Sequence, residues 1–135
     1  MKIAVDTNIL VRLITKDNKP LLEKATHVLD SYDTGEIFVV SGVVFELYFV
    51  LKALYKQTDE WILNELENLM RVDTFSFEHE VALRTAFMKC RKGQPFKDAV
   101  LGEIAMTRNV KTLTFDRKLK SNSSFIVLKT SVHPA

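Results

Sequence analysis

Cysteine is almost missing from this chain. Cys90 is alone among 135 residues, so neither an internal disulfide framework nor a cysteine-rich zinc site can form. It falls on the apolar side of a helical pattern, where a buried thiol is expected. His27, His79 and His133 share no paired spacing, which removes histidine as a metal ligand or general base. Long apolar runs are absent too: the uncharged stretches fall far short of the roughly 20 residues that span a bilayer. Met1-Lys2 leads straight into a strand-like run, too short and wrongly flanked for a signal peptide. The expected setting is therefore cytoplasmic, with no membrane contact. Glycine and proline are scarce, at four and three, and no repeat, low-complexity tract or linker interrupts the pattern. A single domain over residues 1–135 is expected, large enough to bury a core without staples.

Net charge is also small, +2, but it is unevenly spread. Between Arg84 and Lys120 ten Lys/Arg face three acids, whereas between Asp59 and Glu80 one Arg faces seven acids. The basic half permits an anionic partner; solvated helix faces of opposite sign explain it equally well.

What is present is an alternation of strands and helices. Residues 2–6 read as a short strand buried on both faces, since Ile3, Ala4 and Val5 run without alternation. Thr7 and Asn8 are helix-capping types, so a helix follows at once through Leu10, Leu13 and Ile14. Leu21, Leu22, Ala25, Val28 and Leu29 form a second helical stripe. Asp33-Thr34-Gly35 is a turn, residues 37–40 a second strand, and residues 41–55 a long, mostly buried helix. Thr58-Asp59-Glu60 caps the next helix, through Trp61 and Met70. A third strand is expected at 72–75, a helix through Leu83, Ala86, Phe87 and Cys90, and another after Pro95 through Ala99 and Ile104. Strands at 110–114 and 125–128 complete the pattern, and the tail 131–135 is expected to be loose. Alternation without hairpin signals argues for α/β architecture with a parallel sheet.

Four acids stand in apolar surroundings. Asp6 ends the first strand, Glu46 interrupts an uncharged helix, Asp98 opens the helix after Pro95, and Asp116 follows the fourth strand. An unpaired buried carboxylate costs several kcal/mol, so a compensating charge is expected. Sites in open parallel sheets form beyond the carboxyl ends of strands, where Asp6 and Asp116 meet if the first and fourth strands are neighbours. Glu46 is about one turn into the helix leaving the second strand, and Asp98 is in the first turn after Pro95. Oxygen-only ligation suits Mg²⁺ or Mn²⁺ rather than zinc. Such an ion activates water and neutralises charge in phosphodiester hydrolysis. Each acid has an ordinary explanation: Asp6 as part of a capping turn, Asp98 as a helix-dipole partner, Asp116 in an Asx-turn. Glu46, between Phe45 and Leu47, is the hardest to dismiss.

The pieces Val5-Asp6-Thr7-Asn8, Glu46 in its apolar helix, Phe96-Lys97-Asp98-Ala99 and Thr114-Phe115-Asp116 resemble, in order and spacing, the PIN-domain ribonucleases, particularly VapC-like toxins of toxin–antitoxin pairs. The resemblance covers essentially the whole chain. It implies a three-layer α/β/α fold around a central parallel sheet of four or five strands, with Mg²⁺- or Mn²⁺-dependent RNA cleavage. Carried over residue by residue, Asp6, Glu46, Asp98 and Asp116 hold the metal, Asn8 orients the carboxylates, and Thr114 contacts a carboxylate or the scissile phosphate, with Thr7 a weaker candidate for that role. It also implies a cognate antitoxin and a homodimer. Asn109 stands where many relatives have Gly, a position that requires a left-handed turn. Arg12, Lys16, Lys92, Lys97, Arg117 and Lys118 are candidates for RNA phosphate contacts, and Phe96 for either a core ring or a base-stacking one.

Two other readings compete. A non-catalytic RNA-binding module would bind without metal and be indifferent to neutralising the acids. A phosphatase of small phosphoesters would turn over a chromogenic monoester, although Asn8 breaks the nucleophile-bearing Asp-x-Asp motif of one such family.

Overall fold

A computed structural model describes residues 1–129; the tail 131–135 and His133 lie outside the described residues. The chain divides into two compact units, Met1–Glu78 and His79–Ala135.

The first unit runs β1 (Ile3–Ala4), α1 (Thr7–Thr15), α2 (Lys19–Leu29), β2 (Ile37–Val39), α3 (Ser41–Ala53), α4 (Asp59–Met70) and β3 (Phe75–Phe77). Its sheet has the order β1-β2-β3 and is parallel throughout, Ile3 opposite Ile37 and Ile37 opposite Phe75. β1 stops after two residues because Asp6 turns the chain into α1 at once. Asn18 caps α2 by accepting the Leu21 N–H at 3.1 Å, with Pro20 in the first turn, the position where a missing N–H is harmless. Of the expected α2 stripe only Ala25 is buried; Leu21 and Val28 are exposed. The core is built from Leu10 and Val11 of α1, Val44, Leu47 and Leu51 of α3, and Ile62, Leu63 and Leu66 of α4. Asp59 joins α3 to α4, accepting from Lys52 Nζ and the Tyr48 hydroxyl, each at 2.6 Å, and the Lys52 bond, then that of Tyr48, holds its carboxyl below the usual range.

The third strand lies at Phe75–Phe77 rather than 72–75. The Val72 N–H closes the end of α4 on the Leu69 carbonyl and the Phe75 N–H returns to Val72, so that stretch is a turn. The alternation belongs to the next three residues, where Phe75 and Phe77 are buried and Ser76 is half-buried between them.

The second unit runs α5 (Glu80–Arg91), α6 (Phe96–Met106), β4 (Thr112–Thr114), a 3-10 turn (Arg117–Leu119) and β5 (Phe125–Val127). β4 and β5 pair in parallel, Thr112 opposite Phe125. α5 packs on α6, the Phe87 and Phe96 rings stacking at 6.1 Å, and Ala82, Leu83 and Ala86 of α5 are buried too. Phe96 is therefore a core ring rather than a base-stacking platform. Cys90 is half-buried, short of the full burial expected. Asn109 has φ 60°, the left-handed turn its position requires.

All five strands exist and every pairing is parallel, but they form a three-stranded and a two-stranded sheet, not one central sheet of four or five strands. Apolar runs announce strands; ladder partners are set by register between distant segments, which no local pattern encodes. Among the described residues no helix is long and apolar enough to cross a membrane.

Candidate functional site

Two of the four acids come together in the second unit. Pro95 fixes the entry into α6, whose first turn has no side-chain cap; the N–H groups there and the helix dipole favour an anionic neighbour. Asp98 occupies that turn, half-buried. Asp116 stands two residues past β4. Its N–H donates to Thr114 Oγ1 at 3.1 Å, and its Oδ1 accepts the Lys118 N–H at 3.0 Å. The second bond makes Asp116 the cap of the 3-10 turn, and the first makes Thr114 the residue that sets Asp116's backbone. Asp98 and Asp116 both line one cavity of about 490 Å³, with Gln94, Lys118, Ser121 and Asn122 around them.

The separation of these acids depends on how closely α6 lies to the sheet. Gly102 decides that: a Cβ there would stand 2.9 Å from Phe125 Cε2 and 3.5 Å from Ser124 Cβ. On the other side of α6, Glu103 pairs with Lys89 of α5, so it is an interhelical tie rather than a solvated acid.

In the first unit Asp6 caps α1, its Oδ1 accepting the Thr7 N–H at 2.7 Å. Asp6 and Asn8 are exposed and line a mostly apolar cavity of about 600 Å³ that also includes Arg12 and Lys24. The Thr7 hydroxyl is buried, without a hydrogen-bond partner among the described residues. Glu46 is exposed. Val44, Leu47, Tyr48 and Leu51 fill the inward face of α3, and a residue two positions from Val44 points away from that face. The apolar letters around Glu46 therefore overstated its burial. Asp6 and Asp116 are exposed as well, so the acids do not pose the buried-charge problem expected of them.

Glu78 was missed, although it too ends an apolar strand. Its Oε1 accepts the Ser41 N–H at 2.8 Å and its carbonyl accepts the Ser41 hydroxyl at 3.1 Å. It thereby supplies from β3 the cap that Val40 cannot give α3. Among the expected phosphate contacts, Arg12 is tied to Asp17 at 2.7 Å. Lys16 is the left-handed C-cap of α1. Lys92, Lys97, Arg117 and Lys118 are exposed.

A family model for the PIN domain matches residues 3–123, spanning both units and all four acids. The chain belongs to the PIN-domain family. PIN domains are generally nucleases, hydrolases that cut nucleic acid, and generally use divalent metal ions. No curated protein matches the chain closely enough to add a named relative.

The donor chemistry of this PIN domain fits such an ion. Asp98 and Asp116 both line one cavity, and Mg²⁺ is typically bound by one or two carboxylates plus waters and substrate phosphate. Neither unit gathers three or more His, Cys, Asp and Glu side chains into a metal-holding group among its described residues. The four acids divide two and two, Asp6 and Glu46 before residue 79 and Asp98 and Asp116 after it, so a four-acid cluster is not a property of either unit.

Proposed function

We propose that this PIN domain, residues 1–135 as one domain, is a Mg²⁺- or Mn²⁺-dependent endoribonuclease that hydrolyses RNA phosphodiester bonds. The observation that carries this is the shared cavity of Asp98 and Asp116 at the start of α6 and the end of β4. Asp98 and Asp116 hold the ion, and Thr114 keeps Asp116 in place. When bound, the ion supplies an activated water and neutralises charge on the phosphate. Asp6 and Glu46, with Asn8, are the further residues on which cleavage depends, by the resemblance of their motifs. The VapC-like subtype, a cognate antitoxin, a homodimer and a cytoplasmic setting belong to the same proposal. Support for a partner comes from the exposed Phe49 of α3, an aromatic side chain of the kind enriched at interfaces, with the exposed Leu54 at the end of the same helix.

The test is cleavage of total cellular RNA by purified protein. Cleavage is expected with Mg²⁺ or Mn²⁺, to be stopped by chelation, and to be abolished in Asp98→Asn and Asp116→Asn variants whose melting temperature is unchanged. Absence of cleavage in both metals, or full activity in those variants, refutes the reading. An adjacent open reading frame whose product suppresses the cleavage on co-expression establishes the toxin role.

A further inference from the structure

Beside the acid cavity lies a second one of about 340 Å³, lined by Lys89, Lys92, Gln94, Ser121, Asn122 and Ser123. Gln94, Ser121 and Asn122 line both, so three polar side chains form a common wall. Asp98 and Asp116 stand on one side of that wall, with Lys118 beside them, and Lys89 and Lys92 stand on the other.

Asn122 is the best-defined member. Its Oδ1 accepts the Ser124 N–H at 2.9 Å, which fixes the amide orientation. Its backbone is bonded in both directions, the N–H to Leu119 O at 2.9 Å and the carbonyl from the Phe125 N–H at 3.1 Å. The side-chain acceptor is thus engaged, while the NH₂ group has no partner among the described residues. Half-buried and held at the backbone, it is an oriented donor. Lys89 is engaged by Glu103; Lys92 is exposed and makes no ion pair among the described residues. What the second cavity offers is donors and one uncommitted cation, the complement of an anion.

We propose that this second cavity is the subsite for the backbone phosphate next to the scissile one, in a single-stranded RNA substrate, with Asn122 and Lys92 as its binding residues. This rests on the nuclease reading of the Asp98–Asp116 cavity. A polyanionic chain is the occupant that two adjoining cavities with a common polar wall suit, because it presents phosphates in succession. A lone small phosphoester has use for only one. Cavities of about 490 and 340 Å³ suit nucleotide-sized groups rather than a duplex. A cationic neighbour also offsets the repulsion that two carboxylates exert on an incoming phosphodiester.

The experiment is fluorescence anisotropy with a labelled single-stranded RNA octamer in metal-free buffer, where nothing is cut. Asn122→Asp retains the oxygen that Ser124 requires and removes the donors, so its fold is protected. It is expected to weaken binding at least tenfold with an unchanged melting temperature. Lys92→Ala is expected to weaken it severalfold and to lower the salt slope by about 0.7, the value for one phosphate contact to a single strand. Asp98→Asn is expected to bind no more weakly than the parent. Unchanged affinity in both Asn122→Asp and Lys92→Ala, or no binding by the parent, overturns the subsite. The two readings fail separately. Cleavage with an unaltered KM in Asn122→Asp sinks the subsite alone, whereas Asn122-dependent binding without cleavage in Mg²⁺ or Mn²⁺ sinks the nuclease reading and leaves the subsite standing.

Discussion

Replacing Gly102 by alanine tests whether the spacing of α6 and β5 governs the site. The new Cβ would lie 2.9 Å from Phe125 Cε2 and 3.0 Å from its Cζ, about 0.6 Å inside the ~3.5 Å at which carbon atoms begin to rest comfortably. Phe125 is 8% exposed, so its ring cannot swing freely into solvent, and either the ring or α6 must give way. Overpacking of this kind costs about 1–3 kcal/mol. Alanine's better helix propensity returns about 1 kcal/mol, leaving a net loss of about 0–2 kcal/mol. The consequence for activity should be larger. α6 carries Asp98, and β5 is paired to β4, which leads to Asp116, so moving the helix changes the separation of the two carboxylates. A misplacement of about 1 Å in a catalytic constellation can cost on the order of 10²-fold in rate. Thermal unfolding and steady-state RNA cleavage, measured on the same preparation, separate the effects. The expected result is a variant folded at the assay temperature whose kcat falls at least tenfold. A variant stabilised by the full propensity gain, or one with parental kcat, refutes the packing argument.

Other perturbations follow from single contacts. Tyr55, foremost, with Thr15 and Arg12, hydrogen-bonds the Asp17 carboxylate at 2.8, 2.8 and 2.7 Å and holds its pKa down to about 2. A depressed folded-state pKa stabilises above the unfolded value and loses that contribution as pH falls through the folded one. The melting-temperature gap between parent and Asp17→Asn should therefore be open at pH 6 and close between about pH 4 and 2; a gap independent of pH contradicts the assignment. Thr114→Val removes the acceptor for the Asp116 N–H and should lower kcat severalfold, with Thr114→Ser restoring it; equal kcat in Val and Ser variants would deny Thr114 a positioning role. Leu47→Ala, at a fully buried site, should cost about 2–5 kcal/mol in chemical denaturation. Glu46→Gln, at an exposed position on the same helix, should leave stability unchanged while reducing cleavage.

Much of this was legible in the residues. Short apolar runs bounded by turn or capping residues placed all five strands, with only the third displaced, because Val72 continues the apolar pattern while its N–H closes α4. Periodicity placed all six helices, and Thr58 and Pro95 marked two of their starts. These are local properties, decided within a turn or two of chain. The acid motifs were legible for the same reason: their spacing is a one-dimensional fact, and it points to the PIN family that the match over residues 3–123 shows.

Burial and adjacency were not legible, because both depend on segments far apart in sequence. Composition around Glu46 suggested an interior position, yet a 13-residue helix buries one face, and packing alone chooses which. Asp6, Glu78 and Asp116 look alike in sequence, each closing an apolar run. Tertiary structure separates them: Asp6 caps its own helix, Glu78 caps a helix 37 positions away, and Asp116 shares a cavity with Asp98. Asn122, in a polar stretch with no periodicity, carried no signal at all until the fold set it in the wall between two cavities. The sequence by itself determined which elements form and which side chains carry the chemistry, since those follow from local sterics, periodicity and residue type. Which carboxylates meet, which strands pair and where a phosphate finds its donors was decided only when distant segments packed.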